Sequence, residues 1–434
     1  MNKKTTKITA ITGISIVVAN MIGTGAFTSL GLQAVELHNT FSLMSLWMLG
    51  GLLALSGAFS YAEVGTAVKR SGGEYAFLSE IYHPLPGYLS GWISLTAGFA
   101  APVALSTIAF MEYLPVNVPY PKIAGILLIA AITLVHSYNL KSSARFQNLT
   151  TSFKILLILA LITVGLILPQ GEVNAIDFGS SYFSEITSAA FAVGLIYVSY
   201  SYSGWNAAAY ISEEFANPRK SLPIALVGGA LLVTALYTLL QYVFLRHIPP
   251  AELSGAIDVG NIAVNHMLGK NAAAFFSSAV SLLLISGISA MIWVGPRVTA
   301  SMAKDHKLWR FFGSKPGTVP VKSLWLQFAF SALLLVTGTF EQIMVYCGIL
   351  LTISTTLVVS GVLILRLRDT SDRYKSPLFP LFQVIFLLIS LWMIVFALMH
   401  NPVETLLGLI NLALGCVAYY VDKIPKCRYW AKKD

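Results

Sequence analysis

Runs of roughly 17 to 25 mostly apolar residues recur along almost the whole chain, each long enough as an α-helix to cross the hydrocarbon of a bilayer. We count twelve, near 8–36, 42–68, 84–112, 121–139, 148–168, 185–211, 221–245, 272–303, 322–339, 341–365, 378–399 and 404–421. The polar connections between them are short, the longest near 246–270, 304–321 and 366–377, and only Gly338 to Glu341 marks the turn between spans nine and ten. This pattern predicts an all-α membrane protein of twelve transmembrane helices with no large soluble domain.

Two runs are interrupted. Met21-Ile22-Gly23-Thr24-Gly25-Ala26-Phe27 breaks the first, and Tyr200-Ser201-Tyr202-Ser203-Gly204-Trp205-Asn206 breaks the sixth. An unpaired backbone group in hydrocarbon costs several kcal/mol, so an unwound turn at membrane depth persists only where it lines a cavity or holds a ligand. Spans one and six are five apart, an odd number, so they enter from opposite faces and the two breaks are related by inverted topology. That relationship predicts a carrier built of two five-helix repeats, 1–180 and 181–368, followed by the last two spans and a tail in 369–434. A simpler reading stands beside it. Glycines in membrane helices also serve close packing, and the hydroxyls of Ser199, Ser201 and Ser203 can bond their own helix carbonyls.

Composition and charge sharpen the class. Of 434 residues, 56% are hydrophobic and 11% charged, far from the ~25% charged of soluble domains. With a cytoplasmic N-terminus, all but five of the 28 Lys and Arg residues fall on the inner side; Lys122, Arg246 and Lys270 lie outside, and Lys154 and Arg297 within spans. This sorting predicts a multi-pass protein of the cell inner (plasma) membrane with both termini cytoplasmic. It also accounts for the net charge of +9 without a nucleic acid partner. The apolar stretch behind Lys3 and Lys4 reads as an uncleaved first helix. Cys347, Cys416 and Cys427 have neither disulfide-framework nor metal-ligand spacing, and no metal or cofactor is expected.

Three stretches carry a family resemblance: YAEVGTAVKRSGGEYAFLSEIYHPLPGYLSGW (61–92), YSYSGWNAAAYISEEFANPRKSLPIAL (200–226) and GPRVTASMAKD (295–305). The chain resembles the amino acid-polyamine-organocation permeases, and within them the bacterial relatives of the L-type amino acid transporters. The resemblance implies a LeuT-like 5+5 inverted repeat with broken helices 1 and 6, and a small-molecule amino acid as substrate. A zwitterion needs donors for its carboxylate and acceptors for its ammonium, and broken helices offer both. By resemblance, Gly23 belongs to the binding site and the N–H groups around Thr24, Gly25 and Ala26 take the carboxylate. Carbonyls of Ile22, Tyr200, Ser201 and Ser203, at the turn made by Gly204, take the ammonium.

The same resemblance makes Tyr200 an outer gate, where relatives carry Phe; the other reading is an interior aromatic packed against span ten. Lys154 is implied to reach the unwound part of span one and to stand where sodium-coupled carriers of similar fold hold a cation, which predicts sodium-independent transport. Its alternative is a lysine that snorkels to the interface. Glu63, Arg70, Glu74 and Arg297 sit in motifs that close the inner side, or are interface charges of ordinary topology. Glu213 and Glu214 read as structural support. His306 departs from relatives, where Gly commonly follows the Asp.

Function classes other than a carrier fit poorly. The seven histidines are scattered and no nucleophile–base pair, HExxH or phosphate-binding loop is present, which argues against an enzyme. A channel would show rings of charge or filter repeats. With small or hydroxylated residues at the breaks and no acidic residue at midplane, the sequence favours small or medium neutral L-amino acids, moved by exchange or, second, with a proton. A cationic amino acid or polyamine antiporter of the same fold remains a further alternative. The outer loop Glu112 to Lys122 lacks the cysteine by which animal relatives attach a glycoprotein, so no disulfide-linked heavy chain is expected.

Overall fold

In the computed structural model, residues 7–68, 72–138, 143–170, 179, 181–314, 318–368 and 373–423 are described, and they form helices throughout, with one isolated bridge between Ile8 and Phe215. The first apolar run is two helices, α1 (Ala10–Met21) and α2 (Gly25–Gln33), bent by 45° at the break. The Thr9 side chain accepts the Thr12 N–H to start α1, and Ile22 turns to extended backbone to end it. Helix α3 (Thr40–Ala67) starts on Asn39, whose side chain accepts the Phe41 and Ser42 N–H groups. A short α4 (Gly73–Ile81) leads to α5 (Pro84–Ile93) and α6 (Ala100–Tyr113), which form one 30-residue run joined by a π-helical segment, Ser94–Phe99. Pro102 has no N–H for the Gly98 carbonyl and its ring crowds that group, so the ladder widens at this point.

Helices α7 (Pro121–Tyr138), α8 (Ser143–Ile167) and the small α9 (Tyr182–Ile186) precede α10 (Ala189–Tyr202), the first half of the sixth run. After the second break the chain continues as a 3-10 segment, Ala207–Glu214, rather than an α-helix. Its end is anchored by the first residues of the described chain: Ile8 N–H donates to the Glu214 carbonyl at 2.9 Å, and Ala216 N–H to the Ile8 carbonyl at 3.2 Å. Then follow α11 (Pro218–His247), α12 (Pro250–Leu253), α13 (Val259–Leu268), α14 (Lys270–Asp305), α15 (Val321–Thr337), α16 (Phe340–Leu367), α17 (Leu381–His400) and α18 (Pro402–Lys423). The tight turn before α16 closes with a capping box between Thr339 and Gln342.

Nine helices among the described residues are long and apolar enough to cross a membrane, or ten with the bent α1–α2 pair taken as one. The other two predicted runs are α15, apolar but 17 residues long, and α10, 14 residues long and ended by the second break. Leu406, Leu407, Ile410, Leu414 and Val417 of α18 are exposed, as suits a lipid-facing surface. The buried core surrounds the breaks: Trp47, Tyr202 and Tyr237 meet ring against ring, with centroids 5.2 to 6.1 Å apart, behind α1 and α2.

Candidate functional site

The two breaks pack on each other. Gly25 begins α2 against Ser201, and a Cβ at Gly25 would collide with the Ser201 side chain and backbone. Gly204 has φ +100°, and a Cβ there would lie 2.7 Å from the carbonyl oxygen of Asn20 in α1. Both contacts require glycine, one for closeness and the other for closeness and conformation. Across the contact Ser29 and Ser201 share a hydroxyl hydrogen bond at 2.9 Å, and Ser201 also donates to the Tyr197 carbonyl at 2.9 Å.

Side chains from other helices hold the peptide groups that the first break releases. Lys154 of α8 donates from Nζ to the Ile22 carbonyl at 3.3 Å. The Tyr237 hydroxyl donates to the Met21 carbonyl at 2.7 Å, and its phenol oxygen is faced by the Gly23 N–H. Gln241, one turn further along α11, donates to the Ala26 carbonyl at 2.9 Å, and Tyr113 to the Phe27 carbonyl at 3.0 Å. The first N–H groups of α2 have no acceptor one turn behind them in the helix, which leaves Thr24, Gly25 and Ala26 at a positive helix end. In the second break the Tyr200 carbonyl accepts the Ser203 N–H at 2.9 Å. Tyr200 is buried, and its hydroxyl lies against the Thr24 side chain.

A cavity of about 760 Å³ opens at the meeting point. Ile22, Gly23, Thr24, Gly25, Lys154, Tyr200, Ser201, Ser203 and Gly204 all line it; Ala26 does not, being buried behind the wall with its carbonyl on Gln241. From the breaks it extends toward the end of α14, past Asn206, Tyr210 and Ser301 to the exposed Arg297. Such a volume is in the usual range for small-molecule pockets, roughly 300–1,000 Å³.

The other charged candidates separate into three positions. Glu63 is fully buried and away from the cavity: Arg366 Nε stands 2.6 Å and Arg373 Nε 3.0 Å from its carboxylate, and the Ser376 N–H donates to it at 2.9 Å. It therefore fastens the segment after α16 to the end of α3. Glu74 lines the cavity from the first turn of α4 and accepts from four neutral donors on four elements: Tyr61 at 2.6 Å, Ser354 at 2.8 Å, Asn206 at 3.0 Å and Ser90 at 3.4 Å. Arg297 lies at the cavity rim, stacked on Trp293. Arg70 lies outside the described residues. His306 bonds Asp422 at 3.0 Å and Tyr75 at 3.3 Å, tying the loop after α14 to α18 and α4.

Sequence reasoning missed Tyr237, Gln241 and Ser29, which hold the broken backbone, and Arg366 and Arg373 as the partners of Glu63. Tyr237 and Gln241 did leave a signal: polar groups at i and i+4 put two hydrogen-bonding side chains on one face of an apolar helix. The Glu63 cluster left none, because its partners are some 300 positions away in the chain.

Similarity to known proteins bears on what this site handles. A family model described as amino acid permease matches residues 8–420. The chain is 27% identical over 452 aligned residues to the cystine/glutamate transporter of Homo sapiens, spanning 97% of this chain and 86% of that protein. It is similar to the Asc-type amino acid transporter 1 of Mus musculus, at 25% identity with 97% and 82% of the two chains covered. It is also similar to the large neutral amino acids transporter small subunit 2 of Homo sapiens, at 26% identity with the same shares covered.

Proposed function

The chain belongs to the amino acid permease family, as a multi-pass membrane transporter of amino acids and not an enzyme, and from that premise we propose that it exchanges small or medium neutral L-amino acids by alternating access without sodium. The observation that carries this reading is the Lys154 ammonium on the Ile22 carbonyl, 3.3 Å away, within a cavity formed where two helix breaks meet. A fixed cation at the broken backbone supplies the positive charge that a bound metal ion supplies in a sodium-coupled site, so no sodium is needed to hold it. The free N–H groups at the start of α2 suit a carboxylate. The Ile22 carbonyl has a second lone pair beyond the one on Lys154, and with the Ser201 and Ser203 carbonyls it suits an ammonium.

Neutral rather than cationic substrates are supported by the state of Glu74, the one carboxyl side chain lining the cavity among the described residues. Its oxygens are already occupied by four donors and offer little to a cationic head group. In this reading the architecture is LeuT-like: α15 and α10 with its 3-10 continuation complete twelve spans, and the repeats cover 1–180 and 181–368, with 369–434 outside them. Both termini are cytoplasmic in the plasma membrane, on the strength of the basic residues on that side, so the cavity is open inward. Tyr200 then closes the outer side of the site. The segment 112–122 has no cysteine, and the carrier works without a disulfide-linked heavy chain, although one similar protein is named a small subunit.

Purified protein in proteoliposomes tests this directly. Uptake of one or more of the twenty L-amino acids should be stimulated by the same amino acid inside and unchanged when choline replaces sodium. A rate that collapses in choline rejects the reading. Proton symport, with Lys154 as the titrating group, is the second reading; it predicts uptake driven by an imposed pH gradient with no amino acid inside.

A further inference from the structure

Three side chains carrying a carboxylate or a cationic group line the cavity among the described residues: Glu74, Lys154 and Arg297. The first two are engaged by protein groups. Arg297 is different. Its guanidinium centre lies 3.5 Å from the centroid of the Trp293 ring, and Nη1 donates to the Trp293 carbonyl at 2.9 Å. A guanidinium has five N–H donors in one plane, and this arrangement uses one of them. No ion pair to a described carboxylate accompanies it, and the side chain is exposed. Stacking on the indole and the bond to its own helix hold the guanidinium plane at the cavity rim, in a set orientation rather than swinging in water.

Arg297 is also too far from the breaks to belong to the site there. Helix α14 passes Lys154 at Gly287, where a Cβ would lie 4.0 Å from Nζ. Arg297 comes ten residues later in the same helix, about 15 Å at 1.5 Å per residue. An amino acid whose carboxylate sits at the start of α2 does not span that distance.

We propose that Arg297 and Trp293 form a second docking point, a vestibular subsite where the guanidinium takes the carboxylate of an α-amino acid between the helix breaks and the face on which α14 ends. This rests on the reading of the chain as an amino acid carrier. Planar, bidentate pairing with a carboxylate is what a fixed guanidinium does best, and the apolar wall beside it accepts a neutral side chain. Substrate approaching from this face meets Arg297 first and passes to the α2 N-terminus; substrate from the opposite face meets the breaks first. The subsite therefore changes affinity on one face alone.

The test is uptake of radiolabelled L-alanine into proteoliposomes with all carriers in one orientation, sorted by protease access to the C-terminal tail, with KM measured separately from each face. Arg297→Gln should raise KM from the α14-end face about tenfold relative to the opposite face, with Arg297→Lys intermediate because it keeps the charge but loses the planar pair. Trp293→Leu should produce a smaller shift of the same kind. Propionate should compete from the α14-end face of the wild type and not of Arg297→Gln, which identifies the carboxylate as the recognised group. Equal KM changes on both faces, or a loss of kcat alone, would assign Arg297 to gating or packing and overturn the subsite while leaving the carrier reading intact. A wild type that moves none of the twenty L-amino acids overturns both. Should Arg297→Gln fail to fold, Arg297→Lys and Trp293→Leu give the same face comparison.

Discussion

Lys154 Nζ reaches across from α8 to the carbonyl oxygen of Ile22, 3.3 Å away, at the point where α1 stops being a helix. The amine thus stabilises a carbonyl that the broken ladder has left without a helical partner. Lys154→Ala should lower the uptake rate about tenfold or more, since an orphaned buried acceptor costs roughly 1–3 kcal/mol. Lys154→Arg should keep part of the activity. Parallel assays in sodium and choline should show the same loss in both.

Gly204 and Gly23 make a controlled pair. Gly204→Ala places a Cβ 2.7 Å from the Asn20 carbonyl at φ +100°. The left-handed conformation alone costs about 1–2 kcal/mol for an alanine. At Gly23 the nearest atom to an added Cβ is 3.9 Å away. Thermal unfolding in detergent should show a clear fall in midpoint for Gly204→Ala and little for Gly23→Ala; equal falls would mean that the breaks do not touch as described.

Glu63 answers a different question, namely whether a residue read as a gate is a structural clamp. It is fully buried between Arg366 and Arg373. Glu63→Gln leaves two guanidinium groups without their counter-charge and should destabilise by about 3–5 kcal/mol. The check is the unfolding midpoint. A variant with wild-type midpoint but altered uptake would restore the gating role.

Burial holds the Glu74 carboxyl above its ordinary range, outweighing the opposing pull of its hydrogen bonds to Tyr61, Ser354, Ser90 and Asn206. The folded protein thus binds this proton more tightly than the unfolded chain does, and stability falls as pH rises from the usual carboxylate range through the raised value. Glu74→Gln keeps the shape and cannot ionise, so its unfolding midpoint should decline less between about pH 5 and pH 8 than that of the wild type. An identical decline in both proteins excludes Glu74 as the source.

The long spans were legible because hydrophobic length is a local property: the run read at 272–303 is the helix Lys270–Asp305, and that at 84–112 is Pro84–Tyr113. The breaks were legible for the same reason, since glycine and serine clusters stand out against apolar neighbours. The second half of the sixth run was not. Its 3-10 segment is flanked by the bonds of Ile8 to Glu214 and of Asn206 to Glu74, contacts that no window of sequence contains. Ala26 was assigned to the site by family resemblance, whereas Gln241 of α11 holds its carbonyl and its side chain lies behind the cavity wall. Glu63 and Arg297 were grouped together because both stand near helix ends. Only the folded chain separates a carboxylate enclosed by arginines from a guanidinium left open to a cavity.

The Tyr237 phenol holds both lips of the first break, Met21 on one side and Gly23 on the other. A peptide loop braced in this way does not have to be ordered by its cargo, so arrival of a solute releases interaction energy that is not spent on immobilising the receptor. Weak, quickly reversible capture of a very small molecule becomes compatible with discrimination, because the recognising atoms wait in position during the empty half of every cycle.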